Sequence, residues 1–280
     1  MKTNILRSCI LIVLCISLAS WGEKGHFKIN SSATSFFPKR ISHLKGWADK
    51  LAEHASDPDK KRSVDKYEAP RHFLDIENYP EFVATHKITE DHDAAIQKYT
   101  QLFMAKNGTL PWATDSTYQI LVQNFKKKDW NGAMLAAANL GHYVGDGHMP
   151  LHITTNYDGK LTSQSGIHSR YESTMIAKFY DQINYNSSKV KKIKNVRDYI
   201  FKYIYEDYKY KDSVLIADKN AYVAAGNTYS DVYYQNLWTN TKGFTIKLLA
   251  GSSKCMAELI YTAWLEAGKP KIPKDLASLN

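Results

Sequence analysis

The chain has 280 residues, of which 44% are hydrophobic and 23% charged, an ordinary globular balance with enough apolar material for a core. Its net charge is +9, falling to +7 if Lys2 and Arg7 are removed with a leader; this suits a phosphate-bearing partner and equally suits plain solubility. Cys9 and Cys15 fall in that leader, so a mature chain keeps only Cys255 and an intrachain disulfide is excluded.

Residues 1–20 read as a secretory signal peptide: a charged start, the apolar run C-I-L-I-V-L-C-I-S-L, then the small residues Ala19 and Ser20. The run is shorter than the roughly 20 residues a bilayer span needs. The expected mature protein is residues 21–280, exported to the periplasm or secreted, without a transmembrane segment and monomeric.

Almost every later segment has helical periodicity. Residues 27–37 form a first helix closed by Pro38, and 41–55 a second with Leu44, Trp47, Ala48 and Leu51 on one stripe. Residues 57–70 are polar and read as a loop. Thr89 reads as the cap of the next helix, with acids in its first turn. Residues 114–127 and 129–145 form a central pair, and 153–167 a polar loop. Helices over 167–185, 195–210, 220–238 and 244–267 follow, the last closed by Gly268 and Pro270. No strand pair or repeat stands out, so the expected fold is all-α, one domain of eight to ten helices.

The chemistry concentrates in L-G-H-Y-V-G-D-G-H-M-P-L-H, residues 140–152. His142 and Asp146 are four apart, on one face of a helix that Pro150 ends, and His152 follows from the next segment. His168 and Glu172 repeat the spacing in H-S-R-Y-E. Two His/carboxylate pairs with a further His between them are metal-ligand geometry, and imidazole with carboxylate suits zinc. Further candidates lie upstream: His72, Asp57 with Asp59 as its competitor, and His26. Cleavage before Trp21 would leave a free α-amino group that, with its own carbonyl, chelates a metal. His148 points off the His142/Asp146 face and reads as structural, as do His43, His54, His86 and His92.

W-G-x-x-G-H at a processed N-terminus, H-F-L-D, H-Y-V-G-D-G-H-M-P-L-H and H-S-R-Y-E together resemble the bacterial zinc-dependent phospholipase C superfamily, which includes the secreted fungal single-strand-specific nucleases. The resemblance covers residues 21–172. It implies an all-helical fold with three zinc ions: one on Asp57, His72, His142 and Asp146; one on the Trp21 amine and carbonyl, His26 and Asp146; one on His152, His168 and Glu172. Asp57 and Asp146 are then the expected catalytic carboxylates, Asp146 bridging two ions that share a water. The Trp21–His26 and Asp57–His72 spacings resemble the nuclease branch. Glu172 as last ligand, the missing disulfides and the loop N-Y-D-G-K-L-T-S-Q-S-G point to the phospholipase branch. The expectation is phospholipase C-type hydrolysis of a phospholipid, with transient contact to a membrane surface. Its alternative is a nuclease or 3'-nucleotidase acting on single-stranded nucleic acid.

Overall fold

Capping chemistry and a few left-handed residues divide the chain into its helices. In the computed structural model, which describes residues 21–274, regular structure is entirely helical and no strand occurs among the described residues. The all-α expectation holds. The proposed leader, with Cys9 and Cys15, lies outside the described residues. Among those described, no helix is long and apolar enough to cross a membrane.

Helix α1 (Gly22–Ala33) begins five residues before the expected start, because Trp21 (φ 37°) and Gly22 (φ 54°) turn the chain into it. A 3₁₀ stretch over Lys39–Trp47, kinked at Ile41, then leads into α2 (Ala48–Glu53) where one continuous helix was expected. The expected loop after it contains α3 (Asp57–Lys61) and a 3₁₀ turn over Ala69–His72, each with a proline in its first turn. After α4 (Phe82–Thr85), Asp91 replaces the expected Thr89 as cap: its carboxylate accepts the Ala94 amide at the head of α5 (His92–Tyr99). Thr100, at φ 69°, breaks the expected run and caps α6 (Gln101–Asn107) by accepting the Phe103 amide.

Helices α7 (Leu110–Lys127) and α8 (Trp130–Gly147) form a tight hairpin. Lys128 turns left-handed between them, and Asp129 caps α8 by accepting the Gly132 amide. Further on, α9 (Ile167–Ser169), a π-helical turn over Arg170–Met175, and α10 (Ile176–Lys178) make one continuous helical segment. Helices α11 (Val196–Tyr208), α12 (Tyr210–Ala224) and α13 (Asp231–Glu266) complete the set. The break expected near residue 240 falls instead at Gly226 and Asn227, both at positive φ. Gly243 lies within α13, which at 1.5 Å per residue is about 54 Å long. Among the described residues, thirteen α-helical segments outnumber the expected eight to ten because several are single turns.

α13 lies along α1, α7, α8 and α12. One apolar core gathers around the α7–α8 hairpin, including Leu121, Phe125, Leu140 and Val144. A second contains Trp21, Tyr171, Trp238 and Leu249. Where α1, α2 and α8 meet, the buried Asn30 amide donates to the carbonyls of Leu51 and Ala138, at 2.9 and 3.1 Å. Asn30→Ala removes both bonds in a dry interface. It should cost about 1–3 kcal/mol, read as a lower urea midpoint with an unchanged slope.

Candidate metal centre

The site is built where the C-terminal half of α8 meets α1, two 3₁₀ turns and the α9 segment. His142 and Asp146, one turn apart on α8, are fully buried. Asp146 Oδ2 stands 3.1 Å from His72 Nδ1 and 3.4 Å from His142 Nε2, and Oδ1 stands 3.4 Å from His26 Nε2. His72 Nδ1 and His142 Nε2 are themselves 3.0 Å apart. Next to them, His152 Nε2 and His168 Nε2 lie 3.4 and 3.2 Å from the carboxylate oxygens of Glu172. Three groups of donors are close enough to share an ion: His26/His142/Asp146, Asp59/His72/His142 and His152/His168/Glu172.

The imidazoles are held ready to ligate. His142 donates its Nδ1–H to the Ala55 carbonyl at 2.8 Å, His168 to the Tyr157 carbonyl at 3.2 Å, and His152 to the His72 carbonyl. A carbonyl only accepts, so each bond fixes the proton on Nδ1 and leaves the Nε2 lone pair facing the cluster. His72 has the reverse orientation: Nδ1 faces the cluster and Nε2 faces Glu68 at 3.4 Å. Glu68 is held in turn by the Tyr143 hydroxyl and Arg71. Two buried atoms aimed into the cluster, Asp146 Oδ1 and His152 Nε2, have no hydrogen-bond partner. Orphaned buried atoms of this kind, in a set made only of imidazole and carboxylate, fit divalent metal.

Glycines let the elements approach closely. A Cβ on Gly145 would stand 3.0 Å from the His26 ring, and one on Gly22 would stand 3.0 Å from Ser173. Trp21 is anchored by its indole N–H on the Gly145 carbonyl at 2.7 Å, and its backbone nitrogen donates to Glu172 Oε2 at 2.8 Å. The residue whose freed amine was expected to bind metal thus touches Glu172, one of the clustered donors.

One expected ligand is corrected. Asp57, expected as both ligand and catalytic carboxylate, is not in the cluster: it accepts from His54 at 2.6 Å and Lys60 at 2.9 Å. Asp59, the competing choice, takes its place, 3.6 Å from His72 Nδ1 and 3.9 Å from His142 Nε2. The segment expected as a loop is the helical turn α3, and residues two apart on a helix point to different sides. His148 also stays out, ion-paired with Asp207 and stacked on Tyr203 at 4.3 Å.

Charge balance decides how the clustered groups titrate. Burial would push the Asp146 carboxyl up, but the surrounding imidazoles outweigh it and hold the group well below the usual carboxylate range. Burial opposes a charge on His152, yet Asp146 and Glu172 prevail and its pKa is pushed up to about 9. His142 goes the other way, through burial and the neighbouring His26. Burial, together with Asp146, raises Asp59.

A cleft of about 290 Å³ opens on His72, His152 and His168 and is also lined by Arg62, Lys106 and Asp75. Asp75 was not singled out from sequence; burial, with Glu77 adding repulsion, pushes its carboxyl up to about 7. Only its place in H-F-L-D, three residues after His72, signals it. A larger groove of about 780 Å³ shares Lys106 with the cleft but holds none of the clustered donors, so size does not locate the chemistry.

No family model matches the chain. Among known proteins it is similar to one from Bradyrhizobium tropiciagri named as a probable serine protease, at 29% identity over 119 residues. The match covers 36% of this chain and 15% of that protein's length. This finding contradicts the expected phospholipase C-type action and its nuclease alternative, since the relative's name points to neither.

Two outcomes test the centre. Asp59→Asn should weaken metal binding by at least the roughly 10–100-fold that outer-shell losses cost, whereas Asp57→Asn should leave it within about twofold; competitive chelator titration separates them. In metal-free protein His152 carries its proton below about pH 9, and a protonated ring cannot ligate. Metal affinity should therefore rise as pH is raised from 6 to 8, and by about tenfold per unit where this proton alone is displaced.

Proposed function

We propose that this protein is an exported, metal-dependent hydrolase whose nucleophile is a water activated at the cluster centred on Asp146. The observation that carries the reading is the set of three histidines, His142, His152 and His168. Each is fixed by a backbone carbonyl so that its free nitrogen faces a buried carboxylate. Zinc is the ion the donors suit: His26, His142 and Asp146 stand close enough to share one, Asp59, His72 and His142 another, and His152, His168 and Glu172 a third. When bound, the ions would supply Lewis acidity, making water a nucleophile near neutral pH and neutralising charge that develops in the transition state.

The chain's own residues supply the rest. Asp146 offers one oxygen to each side of the cluster and so ties its two halves together. Glu68 and the backbone carbonyls lock the ring orientations, so little reorganisation is needed during reaction. Lys106 and Arg62, the latter ion-paired with Asp59, put cationic groups on the cleft wall beside Asp75. The likeness to the trinuclear zinc superfamily is retained as a proposal about the ligand scaffold and not about the bond cleaved.

The relative's name raises serine chemistry as the competing route. His148–Asp207 is the buried His–Asp pair outside the centre that most resembles part of a triad. Its Nε2, where a nucleophilic serine would bond, has no hydrogen-bond partner. The geometry therefore favours water over serine.

The test uses mature protein without an N-terminal tag, measured for bound metal and assayed on a panel of peptide and ester substrates. Expected are hydrolysis abolished by chelator, restored by zinc and untouched by a serine-directed phosphonylating reagent, and loss of both metal and rate in Asp146→Asn. Hydrolysis that survives complete metal removal and is stopped by the serine reagent would overturn the reading.

A further inference from the structure

Between the ligands His168 and Glu172 lies Arg170, a buried cation that the chemistry above does not use. It opens the π-helical turn over Arg170–Met175. Being two residues from each ligand, it projects to the other side of the helical segment. Its guanidinium donates through all three nitrogens. Nη2 donates to Asp218 Oδ1 at 3.1 Å and to the Gln164 carbonyl at 3.0 Å. Nη1 donates to the Ser165 carbonyl at 2.7 Å, and Nε to the Tyr233 hydroxyl at 3.1 Å. The Tyr229 ring lies 4.0 Å away and covers it.

The partners come from three different parts of the chain. Asp218 is on α12, Tyr233 and its hydrogen bond to Asp218 belong to α13, and Gln164 and Ser165 end the polar loop that precedes α9. Gln164 closes the network by donating to Asp218 Oδ2 and to the Leu215 carbonyl, both at 2.7 Å. A planar fork bonded in so many directions fixes the rotation of its helical turn, which a flexible ammonium would not. That rotation sets where His168 Nε2 and Glu172 Oε1 meet, 3.2 Å apart, and how Glu172 Oε2 faces His152. π-turns are rare and are found most often at functional sites, where the extra residue re-aims side chains.

We propose that the Arg170–Asp218 pair is a positioning device for one ion only, the one held by His152, His168 and Glu172. This rests on the metal-centre reading above. The pair makes no contact with His26, His72, His142 or Asp146 among its hydrogen bonds and ion pairs, so the other donors keep their own supports. The α9 side thus has a support that the α8 side lacks: carbonyls orient rings on both sides, Glu68 backs His72, and the buried ion pair braces only the turn bearing His168 and Glu172.

The experiment loads mature wild-type protein, Arg170→Met, Arg170→Lys and Asp218→Asn with cobalt(II) as the probe. Bound ions are counted and their affinities read from the visible spectrum in competition with a chelator. Circular dichroism and Tm are followed in parallel. In Arg170→Met and Asp218→Asn, one ion should bind about 10–100-fold more weakly, as outer-shell losses do, while the remaining ions keep wild-type affinity. Arg170→Lys should recover part of the loss, because it restores the charge without the fork. If Arg170→Met fails to fold, Asp218→Asn, which keeps the side-chain shape, carries the test. Equal weakening of every ion in step with a fall in Tm would overturn the proposal by showing only a structural role, and so would unchanged binding of all ions in folded variants. Wild-type protein that binds no cobalt would overturn the metal-centre reading, and this proposal with it; cobalt-loaded wild type with unaffected variants overturns this proposal alone.

Discussion

A carboxylate with no access to water, Asp146, is the constraint on which the rest of the centre depends. An isolated buried carboxylate is prohibitively unfavourable, so it must be paired with cations. It also sits one residue from the end of α8, where the helix dipole is negative and repels it further. Imidazoles alone answer this only by taking up protons, and the raised His72 and His152 show that tendency. His142 cannot join them, because burial and His26 push it down. The arrangement is one that divalent ions would stabilise, and the fold spends a large share of its buried polar groups on it.

What turns this cluster into an ordered centre is backbone. Three histidines take their tautomer from carbonyls of Ala55, His72 and Tyr157, none of which lies on the same element as the ring it orients. The His72 and His152 segments are joined a second time, by the Leu74 amide on the His152 carbonyl at 2.8 Å. Moving one of these donors therefore moves the other. Side-chain supports act where the backbone does not: Glu68 behind His72, and Arg170 beneath the turn that bears His168 and Glu172. The glycines at 22 and 145 let α1 come near enough for His26 and Trp21 to reach the same place.

The helical class was legible because helix periodicity is local, and so were the pairs His142/Asp146 and His168/Glu172, since four-residue spacing fixes a shared face before any tertiary structure is known. Asp59 was not legible over Asp57. Choosing between two carboxylates two residues apart requires knowing that Pro58 starts a helical turn there, and periodicity does not reveal a turn of five residues. Thr100 and Thr89 show the same limit, since a cap depends on where neighbouring elements force the chain to bend. The break expected between residues 238 and 244 misled in the opposite sense: α13 runs through it, with open space at the Gly243 Cβ position. Arg170 looks like a surface residue in H-S-R-Y-E, and its role exists only because α12 and α13 return to cover it.

The substrate was least legible because the cleft is assembled from unrelated stretches. Arg62, Asp75, Lys106 and Tyr157 come from four places, and no spacing in the sequence links them. Donor sets constrain chemistry more tightly than they constrain specificity: imidazole and carboxylate around a buried centre favour activated water, whatever bond that water attacks. The same asymmetry explains how the comparison with a probable serine protease can overturn the expected substrate and leave the geometry of the centre untouched. The clustered donors are tied to one another through Asp146 and the carbonyls behind them, whereas the walls answer only to what they bind. On the proposed reading, a change of substrate needs new walls and a change of mechanism needs a new Asp146.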